Sequence, residues 1–581
     1  MKKLEIIKNG RCYYHIVSAN NSTSCDRYAA SQLQKYIYKS TNTFIPYFSD
    51  RCSKRGPEII IGFNTRNANE FVTDEELTSL GEEGFLIKTV GSDILITGKT
   101  SRGTLYGVYE FLEKFLGFRA FTKDVEKIDM HTELIVDDMY ICETPDFEYR
   151  DAYFRFAFNG EFCAKNRLNT TLGDISAEKG GNFKFYNCHH SFDDLIPHKK
   201  YFESHPEYYA EIDGKRVCDQ PCLSRPEVFE IAVNTLEKWI EENPECRVFS
   251  VAQNDNPNYC RCDACRAVDE YEGSPSGSII RFVNRVAEAV EKKHPNVLIH
   301  TFAYRYSDTA PKHVKPRKNV IVRLCNIECE WGSSIENIAE NKPDSKCAEF
   351  LNNVKEWSAI CDRVYIWDYA VNFRNYLQPF PNFFSMTENI RMYKKYGIKG
   401  VLQQGNFSYG GGAAMDDLKS YIIARLLWNV NTNPQEVIDE FSEGVFGKGA
   451  SYIKEYIALI STSVKGQYLT LYDTPDAAYL TDELISKCDA LFDLAEQSAE
   501  NDAVRKRISR ERLSIEYLKT VRIENDEERC KAVDLFAEKV RSFGLTEIME
   551  RVNLDDSFEY MKLNRYAKER PGRYSLYYIV R

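Results

Sequence analysis

Four carboxylates stand just past short apolar runs of this chain: Asp255 after residues 248–252, Glu328 and Glu330 after 320–324, and Asp368 after 364–367. Cleavage of a glycosidic bond needs a protonated carboxyl at the leaving oxygen. It also needs a second group that activates water or stabilises an oxocarbenium-like centre. Any two of these acids have the right chemistry. The plainer alternative is that one or more caps a helix or pairs with Arg323 or Arg150. The dipeptide Asn254-Asp255 has a further reading. Where a substrate carries a 2-acetamido group whose own carbonyl attacks the anomeric carbon, an amide beside the proton donor can orient it. Asn254 would hold the acetamido group while Asp255 donates the proton. An Asn-Asp turn leading into Asn256-Pro257 explains the same residues without catalysis.

Around these acids, Tyr304, Trp331, Trp367 and Tyr369 offer flat amphipathic faces for stacking on sugars, or serve as wall and core. His190, in Cys188-His189-His190-Ser191-Phe192, reads as a hydrogen-bonding contact rather than a base. Asn372, Gln403 and Gln404 are further candidates for substrate hydrogen bonds. Gly410-Gly411-Gly412 lacks the Lys-Ser/Thr of a phosphate loop and reads as a rim loop.

The most specific local motif is Tyr259-Cys260-Arg261-Cys262-Asp263-Ala264-Cys265. Its C-x-C-x-x-C spacing supplies three thiolates, and Cys222 or Cys218 would complete a closed structural zinc site. The alternative is reduced thiols or one disulfide in a loop. No cofactor is expected for catalysis itself, because a sulfur-rich closed site leaves no open coordination position.

The elements that must position these residues are legible as rhythm. Residues 58–62, 84–89 and 93–98 are β-rich and precede a helical stretch over 100–116, with Ser101 as the expected cap. Residues 144–150 (TPDFEYR) read as a linker. From there to about 450, buried apolar runs at 248–252, 297–303, 320–324, 364–367 and 400–402 alternate with amphipathic helices such as 276–293 and 383–396. Polar and aromatic residues follow each run, and in a (β/α)8 barrel that C-terminal rim is where active sites are built. The rest is mostly helical, with runs at 477–499 and 503–524. The expected fold is α/β: a (β/α)8 TIM-like barrel over 141–450, a small N-terminal α/β domain over 1–140, and a C-terminal mostly helical region over 451–581.

Composition bounds the function classes. The 581 residues are 43% hydrophobic and 28% charged, which is a globular balance. A net charge of -11 and a pI near 5.6 argue against nucleic acid or an anionic membrane as partner, since both need a basic field. The 37 Tyr and 34 Phe supply flat amphipathic faces of the kind that line sugar or ligand clefts, as an oligosaccharide or glycan substrate needs, although most such rings are core. The start, MKKLEIIKNGRCYYH, lacks an apolar run of signal-peptide length. A cytoplasmic location is therefore expected, or secretion if a leader has been removed. The 18 cysteines, scattered in apolar segments, suit a reducing compartment.

Several stretches together resemble the family labelled domain of unknown function 4838, whose characterised branch is glycoside hydrolase family 163. They are HSFDDLIPHKKYFESHPEYYAEIDGKR, CLSRPEVFEIA, QNDNPNYCRCDACRAVDEYEGSPSGSIIRFVN, VRLCNIE, VYIWDYAVNFRNYLQPFPN and LLWN, spread over most of residues 145–435. The preceding EIIIGFN and TSRGTLYGVYEFLE resemble the α/β domain found ahead of barrels in α-glucuronidases and β-hexosaminidases. The resemblance implies a retaining endo-β-N-acetylglucosaminidase acting on the chitobiose core of N-glycans, or a close variant, with a site at Asn254, Asp255, Glu328, Trp367 and Asp368. The chain departs from that pattern at Gln403, where Glu is expected, and at Ala413-Ala414, where Gly-Glu is expected. Two other functions stay open: an inverting exo-glycosidase such as an α-glucuronidase, and a non-catalytic glycan-binding protein.

Overall fold

The protein is described from a computed structural model covering residues 3–66, 71–408 and 410–563. Its contacts divide the chain into two units that are not consecutive stretches: Met1–Asn182 with Ala370–Thr387 and Gln404–Arg581, and Phe183–Tyr369 with Glu388–Gln403.

The first unit opens on a six-stranded sheet. Its strands are β1 (His15–Ser18), β2 (Tyr47–Ser49), β3 (Glu58–Ile61), β4 (Phe85–Val90), β5 (Asp93–Gly98) and β6 (Tyr140–Glu143), in the order β6-β4-β5-β3-β1-β2. β3 is buried along its whole length, as its Glu-Ile-Ile-Ile run demands of a strand covered on both faces. The helices Ser24–Thr41 and Ser101–Leu116 pack on this sheet. The cap of the second is Thr100 rather than Ser101. Thr100 is extended and its hydroxyl accepts the Gly103 N–H, whereas Ser101 already lies in the first turn. A Cβ on Gly98 would come within 2.6 Å of the Gly103 backbone, so glycine permits the close crossing of strand and helix. The C-terminal part is helical, with Asp482–Ser498, Asp502–Val521 and Asp526–Ser542 among its elements.

The barrel strands are β7 (Tyr149–Tyr153), β8 (Phe185–Tyr186), β9 (Val248–Ser250), β10 (Leu298–Ala303), β11 (Val320–Cys325), β12 (Val364–Tyr369) and β13 (Gly400–Gln404). Within the second unit the sheet order is β13-β12-β11-β10-β9-β8, and the pairs from β8 through β12 are parallel. This is the architecture of a TIM-type barrel with seven regular strands among the described residues. At the missing second position, Asn169 donates its N–H to Arg150 O (3.3 Å) and its side-chain oxygen accepts the Arg150 N–H (2.9 Å). A side chain there replaces a rung that a regular strand would supply.

Within the second unit, β10 and most of β11 are buried residue by residue, as in parallel sheets covered on both faces. The helix Ser276–Glu291 buries Ile279, Ile280, Val283, Val286, Ala287 and Val290, a stripe at helical spacing. A hairpin, Tyr209–Ile212 with Lys215–Pro221, stands outside the parallel sheet. Among the described residues, no helix is long and apolar enough to cross a membrane.

Candidate active site

Four successive strands of the second unit end in the residues singled out above, because a parallel sheet delivers all its C-terminal ends to one side. β9 leads into Gln253-Asn254-Asp255, β10 into Tyr304-Arg305, and β11 into residues 326–331, while β12 carries Asp368 and Tyr369.

Asp255 has a 28% exposed side chain, and its Oδ1 lies 3.3 Å from Arg305 Nη2. Arg305 adopts φ +55°, a left-handed conformation that side chains other than glycine rarely take. Its guanidinium also lies over the Tyr304 ring, 5.0 Å from the centroid. Burial, reinforced by the Asp255 charge, raises the Tyr304 phenol well above its ordinary value, so that hydroxyl remains a donor. The segment is held from behind. Gln253 donates Nε2 to Tyr304 O (2.9 Å) and accepts the Ser307 hydroxyl at 2.5 Å.

His190 joins this group through Nδ1, 2.5 Å from Gln253 O. A carbonyl can only accept, so Nδ1 carries the proton and Nε2 is the ring's acceptor. Burial outweighs the nearby Asp255 charge and lowers the His190 pKa from its ordinary value. His190, Phe302 and Tyr304 pack together, with Trp367 6.1 Å from Phe302 and 6.0 Å from His189. The result is an aromatic wall beside an ion-paired carboxylate.

The other three acids have different surroundings. Asp368 is buried and accepts from five donors. Asn326 Nδ2 (2.7 Å), Trp331 Nε1 (3.2 Å) and the Tyr369 N–H (2.7 Å) reach Oδ1, and Tyr393 Oη (2.8 Å) and Gln403 Nε2 (3.0 Å) reach Oδ2. Glu330 is buried and paired with Lys342 at 2.9 Å. Glu328 is exposed, 3.3 Å from Lys346. Arg323 lies over Phe185 and Trp367, and Arg150 pairs with Glu83 in the first unit.

Asn254 has both ends of its carboxamide engaged. Nδ2 donates to Asp219 O (2.7 Å) and Oδ1 accepts the Asp193 N–H (3.0 Å), which makes it a tie between loops. Trp331 is buried and edge-on to Tyr369. Asn372 and Gln404 belong to the first unit. There Asn372 donates to Asp473 O (3.0 Å) and accepts two backbone N–H groups, and Gln404 O accepts the Ala370 N–H. Sequence reasoning missed Arg305, Tyr393 and Asn326. Arg305 carried one usable signal, a cation at the end of the run after the one bearing Asp255.

One further set of ligand-type side chains converges in this unit: Cys222, Cys260, Cys262 and Cys265, all buried, with sulfurs within 4.8 Å of one another. Cys218 is not among them.

The fold is shared with solved structures at low sequence identity. BtGH115A, a family GH115 4-O-methyl-α-glucuronidase with specificity for decorated arabinogalactans, superposes with a TM-score of 0.55 at 11% identity, over 95% of this chain and 78% of that one. A GH138 enzyme targeting pectin rhamnogalacturonan II gives a TM-score of 0.51 at 12% identity, over 94% of this chain and 78% of that one. In sequence, "Probable alpha-glucuronidase A" of Neosartorya fischeri is 31% identical over 109 residues, which is 18% of this chain and only 13% of that protein. Residues 7–111 match the model described as Glycosyl hydrolase family 67 N-terminus. Residues 120–458, more than half of the chain, match the model described as Domain of unknown function (DUF4838), and the protein belongs to that family.

Proposed function

We propose that this protein is a glycoside hydrolase in which Asp255 donates the proton to the leaving glycosidic oxygen. The observation that carries the reading is the selective solvent access of the rim acids. Asp368 and Glu330 are buried among protein partners, whereas Asp255 is open to solvent beside the wall of Tyr304 and Trp367. Arg305, already 3.3 Å from Asp255 Oδ1, stabilises the carboxylate that proton donation leaves behind. Tyr304 and Trp367 seat the sugar ring, Glu328 stabilises charge or activates water from the far side, and Asp368 positions Trp331 and Gln403. Asn254 acts through the loop it ties rather than by touching substrate.

For the sugar, the favoured class is a uronoside. The N-terminal match to family 67 and the α-glucuronidase relative support it. The endo-β-N-acetylglucosaminidase reading rests on the barrel motifs and asks Asn254 for a hand that is already occupied. A panel of aryl α-glucuronides, aryl β-N-acetylglucosaminides and chitobiosyl glycans separates the two. Release from the glucuronides is expected. Turnover confined to the acetamido substrates would replace the uronoside reading, and binding of sugars with no turnover of any would identify a glycan-binding protein.

A further inference from the structure

Cys222 follows the hairpin strand Lys215–Pro221, Cys260 and Cys262 end the loop that begins at Gln253, and Cys265 lies in the first turn of the helix Asp263–Glu272. Their four sulfurs meet although Cys222 and Cys260 lie 38 positions apart in sequence. Cys222 Sγ is 3.7 Å from Cys262 Sγ and 3.9 Å from Cys265 Sγ. A disulfide requires about 2.0 Å. Zinc–thiolate bonds of about 2.3 Å in a tetrahedron set S···S edges of about 3.8 Å.

The surroundings donate toward sulfur. The Glu211 N–H reaches Cys260 Sγ (3.4 Å), Arg216 Nη1 lies 3.9 Å from the same atom, and the Ser224 hydroxyl lies 3.2 Å from Cys222 Sγ. Such donors suit thiolates, and a cation at Arg216 offsets the net negative charge of a tetrathiolate ion site. With sulfur alone as ligand and no open position, the set selects a soft-tolerant ion for structure rather than calcium, magnesium or a catalytic metal.

We propose that Cys222, Cys260, Cys262 and Cys265 bind one Zn2+, releasing their thiol protons to solvent, and that the ion clips the Asp255 loop to the hairpin. The hydrogen bonds between the two segments run toward the cluster. Asn254 N–H donates to Gln220 Oε1 (3.0 Å), Gln220 Nε2 to Asn254 O (2.9 Å), Asn256 Nδ2 to Asp219 O (3.1 Å) and Asn258 Nδ2 to Asp219 Oδ2 (2.7 Å). This inference does not depend on which sugar, if any, the protein cleaves.

The test is metal analysis of the full chain purified without chelator, together with Co2+ substitution and hydrogen exchange. About one zinc per chain is expected, with intense thiolate-to-cobalt charge transfer and tetrahedral ligand-field bands after exchange, and loss of the ion in Cys262→Ser. Removing zinc should speed amide exchange across residues 253–265. Native protein that lacks metal and shows four freely titrating thiols, or a mass lower by four hydrogens from two disulfides, overturns the site. Zinc present but loop exchange unchanged on its removal overturns the clip. If Cys262→Ser does not fold, the cobalt spectrum of the unaltered chain decides.

Discussion

Arg305 Nη2 sits 3.3 Å from Asp255 Oδ1, joining the ends of adjacent parallel strands, and Arg305 does so from a backbone at φ +55°. A partly exposed ion pair contributes roughly 0–1 kcal/mol. A left-handed conformation in a residue with a side chain costs on the order of 1–3 kcal/mol. The arrangement is therefore poor value for stability, and strain of this kind collects where geometry serves chemistry.

Asp255→Asn should remove most turnover, by about 100- to 10,000-fold in kcat, while leaving fold and sugar binding nearly intact. An amide keeps the shape but has no proton to give. Substrates with very good leaving groups should lose less, because their departure needs little protonation. Kinetics on a series of aryl glycosides check this, and an equal loss across the series would remove Asp255 from the acid role.

At Arg305, glycine and alanine should diverge. Both delete the guanidinium, but only glycine relieves the left-handed backbone. Arg305→Gly is expected to be more stable than Arg305→Ala by about 1 kcal/mol, with both variants equally poor in turnover. Chemical denaturation of the pair reads the difference directly.

Much of the barrel was legible because buried parallel strands are written as apolar runs. The run at 320–324 lies within its strand, Val320–Cys325, and the helix expected over 276–293 spans Ser276–Glu291. The C-x-C-x-x-C spacing marked three ligand-type residues but left the fourth open between Cys222 and Cys218, because that choice is made by a hairpin distant in sequence. What sequence could not show was which acids keep solvent access. Asp255 and Asp368 both follow or end apolar runs, yet one faces solvent beside Arg305 and the other accepts five hydrogen bonds. That difference depends on Tyr393 and Gln403, which arrive from distant segments. The second barrel strand was invisible for a different reason, because a side chain of Asn169 does the work of a backbone rung.

Gln403→Glu should make stability strongly pH-dependent. Gln403 Nε2 donates to Asp368 Oδ2 at 3.0 Å, so a glutamate would face a buried carboxylate at hydrogen-bonding distance. Two such charges cannot both persist, and one carboxyl must hold a proton in the folded state. A folded-state pKa raised in this way stabilises at low pH and is lost as pH rises. The variant should match the parent near pH 4 and fall behind it by about 2–3 kcal/mol at pH 8. Denaturation midpoints with no pH trend would show that the pair has moved apart.

In the first unit, Glu83 supplies the opposite sign. Burial pushes its carboxyl up, but the Arg150 and Arg102 guanidinium groups, with hydrogen bonds from Arg150 and Asn169, outweigh burial and hold it down at about 2. Arg150 belongs to β7 and is itself fully buried, so the charge pairing fixes that strand beside the Asn169 segment. A depressed folded-state value contributes stability that is complete above the unfolded glutamate value of about 4.3 and is lost as pH falls toward 2. The contribution is about 3 kcal/mol at neutral pH by that linkage. Glu83→Gln should therefore be less stable than the parent by 2–3 kcal/mol, in order of magnitude, at pH 7. The gap should narrow steadily between pH 4 and pH 2, because acid removes from the parent the charge that the variant never had. Urea denaturation of both proteins across that range isolates the effect from the other titrating groups, which the two share. A gap that stayed constant with pH would mean that Glu83 acts through packing rather than charge.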